Sequence, residues 1–473
     1  MLDLRQWMRD ADKMGELREV QGADLVAEVG AITELAQRRP GGPALLFDRF
    51  PGFSPGQRIL VNSLGTLRRV ALTMCMEGEW TPMTYVRAWK DRSRGLAPIP
   101  PRVVDDGPVL EQVWVGSDLD ITRFPAPLWH EEDGGRYLGT GCAVITRDPE
   151  EGWVNVGTYR VMVYDATTIG LYISPGKHAR IHREKYLKAG KPCPVAISFG
   201  HHPLFFLAAS LEMPPRLCEY DWIGGVAGAP VDVVIGPATG LPIPAWSELA
   251  IEGEILPGET RIEGPFGEFT GYYASASRAE PFVKLRSIMA RRDPINLGSP
   301  PIRPPSEDAF CRAITRSALI WEEMEKAGVP EIQGVWRHPA GGSRMITVVA
   351  IKQRYPGHAR QAAVLAAQCR AGAYLGRYII VVDDDIDPSD TDAVLWALST
   401  RSDPKGDIDI LDRCWSGPLD PIIPPGQKGF SSRAIIDATR PYEWKDAFPP
   451  VVGISPERAE QVRRKWGKAL GWE

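Results

Sequence analysis

The sequence has little of what would mark a secreted, membrane-spanning or nucleic-acid-binding chain. Seven cysteines in 473 residues, at 75, 142, 193, 218, 311, 369 and 414, show no CxxC spacing, so neither a zinc knuckle nor a disulfide framework is indicated. No apolar run reaches the roughly 18 residues of a membrane span, and the opening MLDLRQWMRDADKMGEL is charged throughout, without an apolar signal core. A soluble, cytoplasmic chain is the expectation. Charges of both signs are interspersed and the net charge is -5, which leaves no basic stripe for nucleic acid or for an anionic membrane. Phosphate-cradling loops are missing too: there is no GxxxxGKS or GxxxxGKT, and no GxGxxG between a predicted strand and a helix. The expected partner is a small molecule.

What is present is a 44% hydrophobic chain long enough for two or three cores. Residues 1–110 read as an α/β region: Leu25, Val29, Ile32 and Leu35 recur at helical spacing, ALLFDRF and RILVN read as strands, and a helix starts near Thr66. Residues 111–305 change to short alternating segments such as GCAVITRD, NVGTYRVMVYD and FVKLRSIMARR, the pattern of a barrel or sandwich, interrupted by one helix at GKHARIHREKYLKAG. The Pro-rich SPPIRPPSED leads into a linker helix within 306–330. A second α/β module follows over 331–445, and Ser-Pro opens a terminal helix within 446–473.

One stretch, EGPFGEFTGYY, poses a chemical problem. Pro265 and Gly267 suit the second and fourth positions of a turn, so residues 264–267 are expected to form a hairpin tip with Glu263 facing Glu268. Like charges directly opposed across two strands are destabilising, so the pair needs a nearby cation or a proton. Arg160, in NVGTYR, has the planar fork to hold a carboxylate. Asn155 lies an odd number of residues before Arg160, which in a regular strand sends the two side chains to opposite faces, so a shared site demands an irregularity near Gly157. His178 and His182 share a helical face but lack the glutamate of a zinc protease, and one buried and one surface histidine is the plainer reading. In VVDDDIDPSD, Pro388 and Val394 replace the Gly and Glu of a calcium loop, so these acids are expected to mark a strand end and a helix start.

Together NVGTYR with His178 downstream, SLEMPPRLCEYDWIGGVAGAP, IPAWSELAIEGEI, EGPFGEFTGYY and VVDDDID resemble the UbiD family of decarboxylases that use prenylated FMN. The resemblance implies an N-terminal α/β region, a central split β-barrel that binds the flavin and a C-terminal α/β oligomerisation domain, in a homodimer or homohexamer. It implies that Asn155, His178 and Glu219 hold manganese, with potassium close by, and that the metal grips the cofactor phosphate. An amide oxygen, an imidazole and a carboxylate suit manganese better than structural zinc. It places Thr158 and Ser210 beside the cofactor, and Lys177 stands where some members have Gln, able to meet the phosphate or to face solvent.

The same resemblance assigns Arg160 as carboxylate clamp, Glu263 as its orienter and Glu268 as proton donor. The implied reaction is reversible, non-oxidative decarboxylation of an aromatic, heteroaromatic or α,β-unsaturated acid through a covalent adduct with the flavin. Carbon dioxide is the other product, and a flavin prenyltransferase supplies the cofactor. A split-barrel FMN oxidoreductase and a non-catalytic flavin-binding protein are the alternatives, and a two-carboxylate retaining glycosidase leaves the arginine without a role. Arg303 is a candidate for a second substrate carboxylate, or for a surface or interdomain ion pair.

Overall fold

The computed structural model describes residues 2–274, 276–424, 427 and 429–472. Near the N-terminus the strands Leu17–Gln21, Ala44–Asp48 and Arg58–Val61 form a sheet whose fourth strand, Ile295–Gly298, comes from far along the chain and pairs in parallel with Arg58–Val61. Four helices accompany it, Leu4–Lys13, Glu28–Arg38, Leu67–Thr73 and Pro82–Arg94, the third capped by Thr66 as expected. The second starts at Glu28 and leaves Leu25, the first residue of the helical pattern, outside it, because Val26 bridges to Leu128 and holds this stretch extended.

The central sheet has nine strands. Eight run in the order Tyr137–Gly139, Val161–Asp165, Thr168–Leu171, Phe282–Ala290, Leu249–Ile255, Cys193–Phe199, Ala143–Arg147, Val154–Gly157, and Gln112–Val115 pairs with Phe282–Ala290. Val154–Gly157 and Val161–Asp165 are consecutive in the chain but lie near opposite ends of this order. Laid flat, six strand spacings would separate them by roughly 29 Å. The connecting residues 158–160 reach at most about 14 Å. The sheet therefore curls until its ends face each other, and among the described residues no strand pairing closes the gap. This is a split barrel, and Arg160 sits at the split.

Three helices accompany the central sheet where the pattern of residues predicts one. Besides His178–Lys188 there are Pro203–Ser210 and Glu219–Ala227. The first of these two, PLFFLAAS, is buried at every position and so shows no apolar face to read; the second carries Gly224 and Gly225, packed against the backbone of Ile99 and Ala97.

The long helix Glu307–Lys326, capped by Ser306, leads to a five-stranded sheet in the order Ile332–Arg337, Ile346–Ile351, Tyr378–Asp383, Phe430–Ala438, Ile408–Trp415, with helices His358–Gln368 and Thr391–Arg401. Asp383 ends a strand, where Arg401 holds it at 2.9 Å, and Asp390 caps the helix Thr391–Arg401. The terminal helix spans Pro456–Leu470. Among the described residues no helix is long and apolar enough to cross a membrane.

Candidate active site

Residues 158–160 leave the strand after Gly157, which is the irregularity that the Asn155–Arg160 spacing demands. A Cβ on Gly157 would lie 2.4 Å from the Tyr159 hydroxyl, so only glycine lets that ring fold back past the strand end. The break turns Arg160 toward two glutamates. Its Nε and Nη2 donate to Glu263 Oε1 and Oε2, both at 2.8 Å, and its Nη1 donates to Glu268 Oε1 at 2.8 Å.

The network is shielded from water. Glu263 is 0% exposed, and the Arg160 and Glu268 side chains are 8% and 13% exposed. Tyr137 donates its hydroxyl to Glu263 Oε1 at 3.1 Å, while the Arg160 guanidinium lies over the Tyr172 ring at 4.5 Å. Burial alone would lower the pKa of Arg160, but the bonds to Glu263 and the charges of both acids hold it above its ordinary value. Two carboxylates around one guanidinium leave an excess negative charge. Burial, aided by the charge of Glu263 and opposed by Arg160, raises the pKa of Glu268, so this is the acid better suited to carry a proton.

The way the acids meet differs from a hairpin tip. Glu263 ends the short strand Arg261–Glu263, whose partner is Arg278–Glu280, and Glu263 is registered against Arg278 and not against Glu268. Glu268 opens its own turn, accepting from Gly271 N–H at 2.8 Å and donating its N–H to Tyr272 O at 3.1 Å. Phe266, buried and 4.0 Å from the Tyr137 ring centroid, anchors the segment between the two acids. The excursion is longer than four residues because an apolar anchor, and not a tight turn, sets its path.

Asn155, His178 and Glu219 share a neighbourhood. Glu219, first residue of its helix, accepts the N–H of Val156 at 2.7 Å, and Trp153 stands edge-on to His178 with centroids 5.1 Å apart. The Tyr159 phenol, its pKa raised by burial and then by the Glu219 charge, also contacts Asn155 and the backbone of Ala179. Burial pushes Glu219 up to about 8, and burial followed by the Lys177 charge lowers the pKa of His178. Asn155 Nδ2 is buried without a hydrogen-bond partner among the described residues. A buried carboxylate with no cation, a neutral imidazole and the side-chain oxygen of Asn155 together make a donor set suited to a divalent oxygen- and nitrogen-seeking metal; the unpartnered Nδ2 is a hydrogen-bond donor and takes no part in it. His182 is fully buried, bonded to Thr146 at 3.0 Å, and belongs to the packing.

Thr158 is tied through its N–H to Ala209 O at 3.0 Å, placing it beside Ser210, which is buried and donates to Leu207 O. Lys177 precedes the helix at His178 and meets Glu212 at 3.1 Å. Arg303 is exposed, its backbone packed where a Cβ on Gly271 would lie 2.6 Å from its Cα.

Family models match nearly the whole chain: the N-terminal domain of 3-octaprenyl-4-hydroxybenzoate carboxy-lyase over residues 8–86, its Rift-related domain over 102–304 and its C-terminal domain over 309–438. The chain belongs to the UbiD family. It is a carboxy-lyase of that family, with the fold of UbiD-class enzymes. Pyrrole-2-carboxylic acid decarboxylase of Pseudomonas aeruginosa is 31% identical over 459 residues, covering 94% of this chain and 92% of that protein. The UbiD-class enzyme HmfF from Pelotomaculum thermopropionicum in complex with FMN superposes with a TM-score of 0.85 at 28% identity, over 97% of this chain and 98% of that one. An evolved dimeric form of HmfF in complex with prFMN gives 0.83 at 27% identity, with the same coverage.

Proposed function

We propose that this UbiD-family enzyme catalyses the reversible, non-oxidative decarboxylation of an aromatic, heteroaromatic or α,β-unsaturated carboxylic acid with prenylated FMN as cofactor. The observation that carries the reading is the water-shielded guanidinium of Arg160 held by Glu263 on one side and Glu268 on the other. Complexes of the structural relative HmfF with FMN and with prFMN support the cofactor class, and a relative acting on a pyrrole carboxylate supports the substrate class.

Loss of carbon dioxide from an sp2 carbon leaves a localised carbanion, and the bound flavin supplies the electron sink that side chains lack. The protein's own part is positioning and proton delivery. Glu263 fixes the Arg160 fork, leaving the guanidinium to meet the substrate carboxylate. Glu268, in its protonated form, returns a proton to the carbon that has lost carbon dioxide. Asn155, His178 and Glu219 would hold manganese against the cofactor phosphate, with potassium beside it, and Thr158 and Ser210 would line the flavin site. A flavin prenyltransferase would supply the cofactor, and a dimer or hexamer in the cytoplasm is the proposed working state.

The test is to produce the protein with a flavin prenyltransferase, record the spectrum of the bound flavin, and assay aryl, heteroaryl and acrylic acids for carbon dioxide release and for deuterium exchange. Glu268→Gln is expected to abolish both while retaining the flavin. Turnover persisting in that variant removes Glu268 from the donor role. An unmodified flavin that reduces with a nicotinamide would instead favour the FMN oxidoreductase.

A further inference from the structure

Sequence segments far apart converge on one carboxylate at the seam between the central and C-terminal parts. Lys177 Nζ and Arg344 Nη2 each lie 3.1 Å from Glu212 Oε1, and Arg316 Nη2 lies 3.9 Å from the same oxygen. Arg370 reaches the Glu212 backbone carbonyl at 3.5 Å. Arg312, nearby, is already matched by Asp308 at 2.6 Å. Three cationic side chains thus face a single carboxylate, which leaves two positive charges uncompensated at this point.

The cationic side is built and the anionic side is loose. Arg316 is only 7% exposed, makes long bonds of 3.4 and 3.3 Å to Ser343, and has an Nη2 without a hydrogen bond among the described residues. A buried guanidinium with such weak partners is costly unless a stronger anion completes it. Arg344 is held between the rings of Phe269 and Tyr374, at 5.4 and 5.3 Å, so the neighbour of Glu268 helps to aim it. Glu212, by contrast, has a 45% exposed side chain and sits on residues 211–218, which lie outside any helix or strand. Its carboxylate borders solvent, so a more highly charged anion that replaces its contacts to Arg344 and Lys177 can displace it outward.

We infer that Lys177, Arg316 and Arg344 form a cradle for a phosphate-type dianion, and that Glu212 is a built-in competitor that fills it until the dianion arrives. A phosphomonoester brings two charges where the carboxylate brings one, and so neutralises the cradle more completely. With the carboxylate turned outward while Arg216 still ties the segment 211–218 to Glu151, the dianion bridges the central part, through Lys177, to the C-terminal part, through Arg316 and Arg344. The inference rests on the flavin reading above only for the source of the phosphate.

The test uses the cofactor-free full-length chain with manganese held constant, and titrates FMN, riboflavin and inorganic phosphate by calorimetry. Glu212→Gln removes the competing charge and is expected to tighten FMN and phosphate roughly tenfold or more, leaving riboflavin unchanged. Arg344→Met is expected to weaken FMN and phosphate by a similar factor, and Arg316→Lys less than Arg316→Met. Unchanged or weaker FMN and phosphate binding in Glu212→Gln overturns the competitor role, as does an equal gain for riboflavin. If Arg316→Met does not fold, the Glu212 and Arg344 variants decide. Phosphate responding as described while no flavin binds any variant would uphold the cradle and sink the flavin reading; FMN binding all variants equally would do the reverse.

Discussion

Glu263 holds Arg160 by two parallel hydrogen bonds of 2.8 Å, a fork-to-fork contact made with both partners shielded from water. A lysine keeps the charge but not the planar fork, so Arg160→Lys is expected to lose at least one of these bonds together with the bond to Glu268. We expect kcat/KM on the best acid to fall by about 100-fold or more, on the scale measured when a buried charge pair is broken. Steady-state kinetics check this, and a variant within a few fold of wild type would show that the fork is dispensable.

The pH profile follows from Glu268. Burial and the Glu263 charge raise its pKa against the opposing pull of Arg160, so its protonated form survives to higher pH than that of a free glutamate. Donation requires that form, and kcat is therefore expected to decline as pH rises through the raised pKa. Removing the repelling charge with Glu263→Gln lowers that pKa and should move the decline to lower pH. The position of the limb is the readout, since its height also changes with the clamp. Coupled acids titrate as a group, so the measured midpoint belongs to the network.

His178 and His182 share a helix face but are expected to fail differently. His178→Ala removes a proposed ligand and should lower bound manganese and flavin together, about 10- to 100-fold in metal affinity on the scale of ligand-shell changes. His182→Ala deletes a fully buried ring bonded to Thr146 and packed edge-on against Trp153, with centroids 4.6 Å apart, so it should lower the unfolding midpoint while metal content per folded chain stays near wild type. Metal analysis with urea titration separates the two. Equal metal content in both variants would remove His178 from the ligand set.

Acid sensitivity has a defined origin. Burial pushes His182 down to about 4 and His201 and His202 down to about 3, so all three stay neutral in the fold below the ordinary histidine value of 6.5. In the unfolded chain they bind protons in that interval, and stability rises with pH wherever the unfolded state binds more. Stability is therefore expected to fall steadily from about pH 6.5 to about pH 4. Melting curves across that window check it, and a flat midpoint would show that these rings become charged without unfolding.

Helices were legible in the sequence where a cap and an amphipathic stripe coincide, as at Thr66 and Ser306. They were not where burial is complete, as in PLFFLAAS, because a helix apolar on all sides has no period to detect. The need for a cation between Glu263 and Glu268, and for a break after Gly157, followed from side-chain parity and like-charge repulsion. The route joining the two acids did not, since it depends on Phe266 finding Tyr137 across 128 intervening positions of sequence. The cluster around Glu212 escaped for the same reason: residues 177, 212, 316 and 344 have no mutual spacing, and only the packed chain brings their charges to one point.

The strand Ile295–Gly298 has a consequence for how this polypeptide is made. It forms the edge of a sheet whose other three strands lie within the first 61 residues. A nascent chain on the ribosome must hold that apolar rim unfinished until some 240 further residues have emerged, by which time the barrel can have assembled around Arg160. Cutting the gene between the first two family segments would leave Arg58–Val61 in one product, still paired with Ala44–Asp48 but with its other edge bare, and Ile295–Gly298 unpaired in the other, so the leading lobe is a captive of the barrel and not a transplantable module.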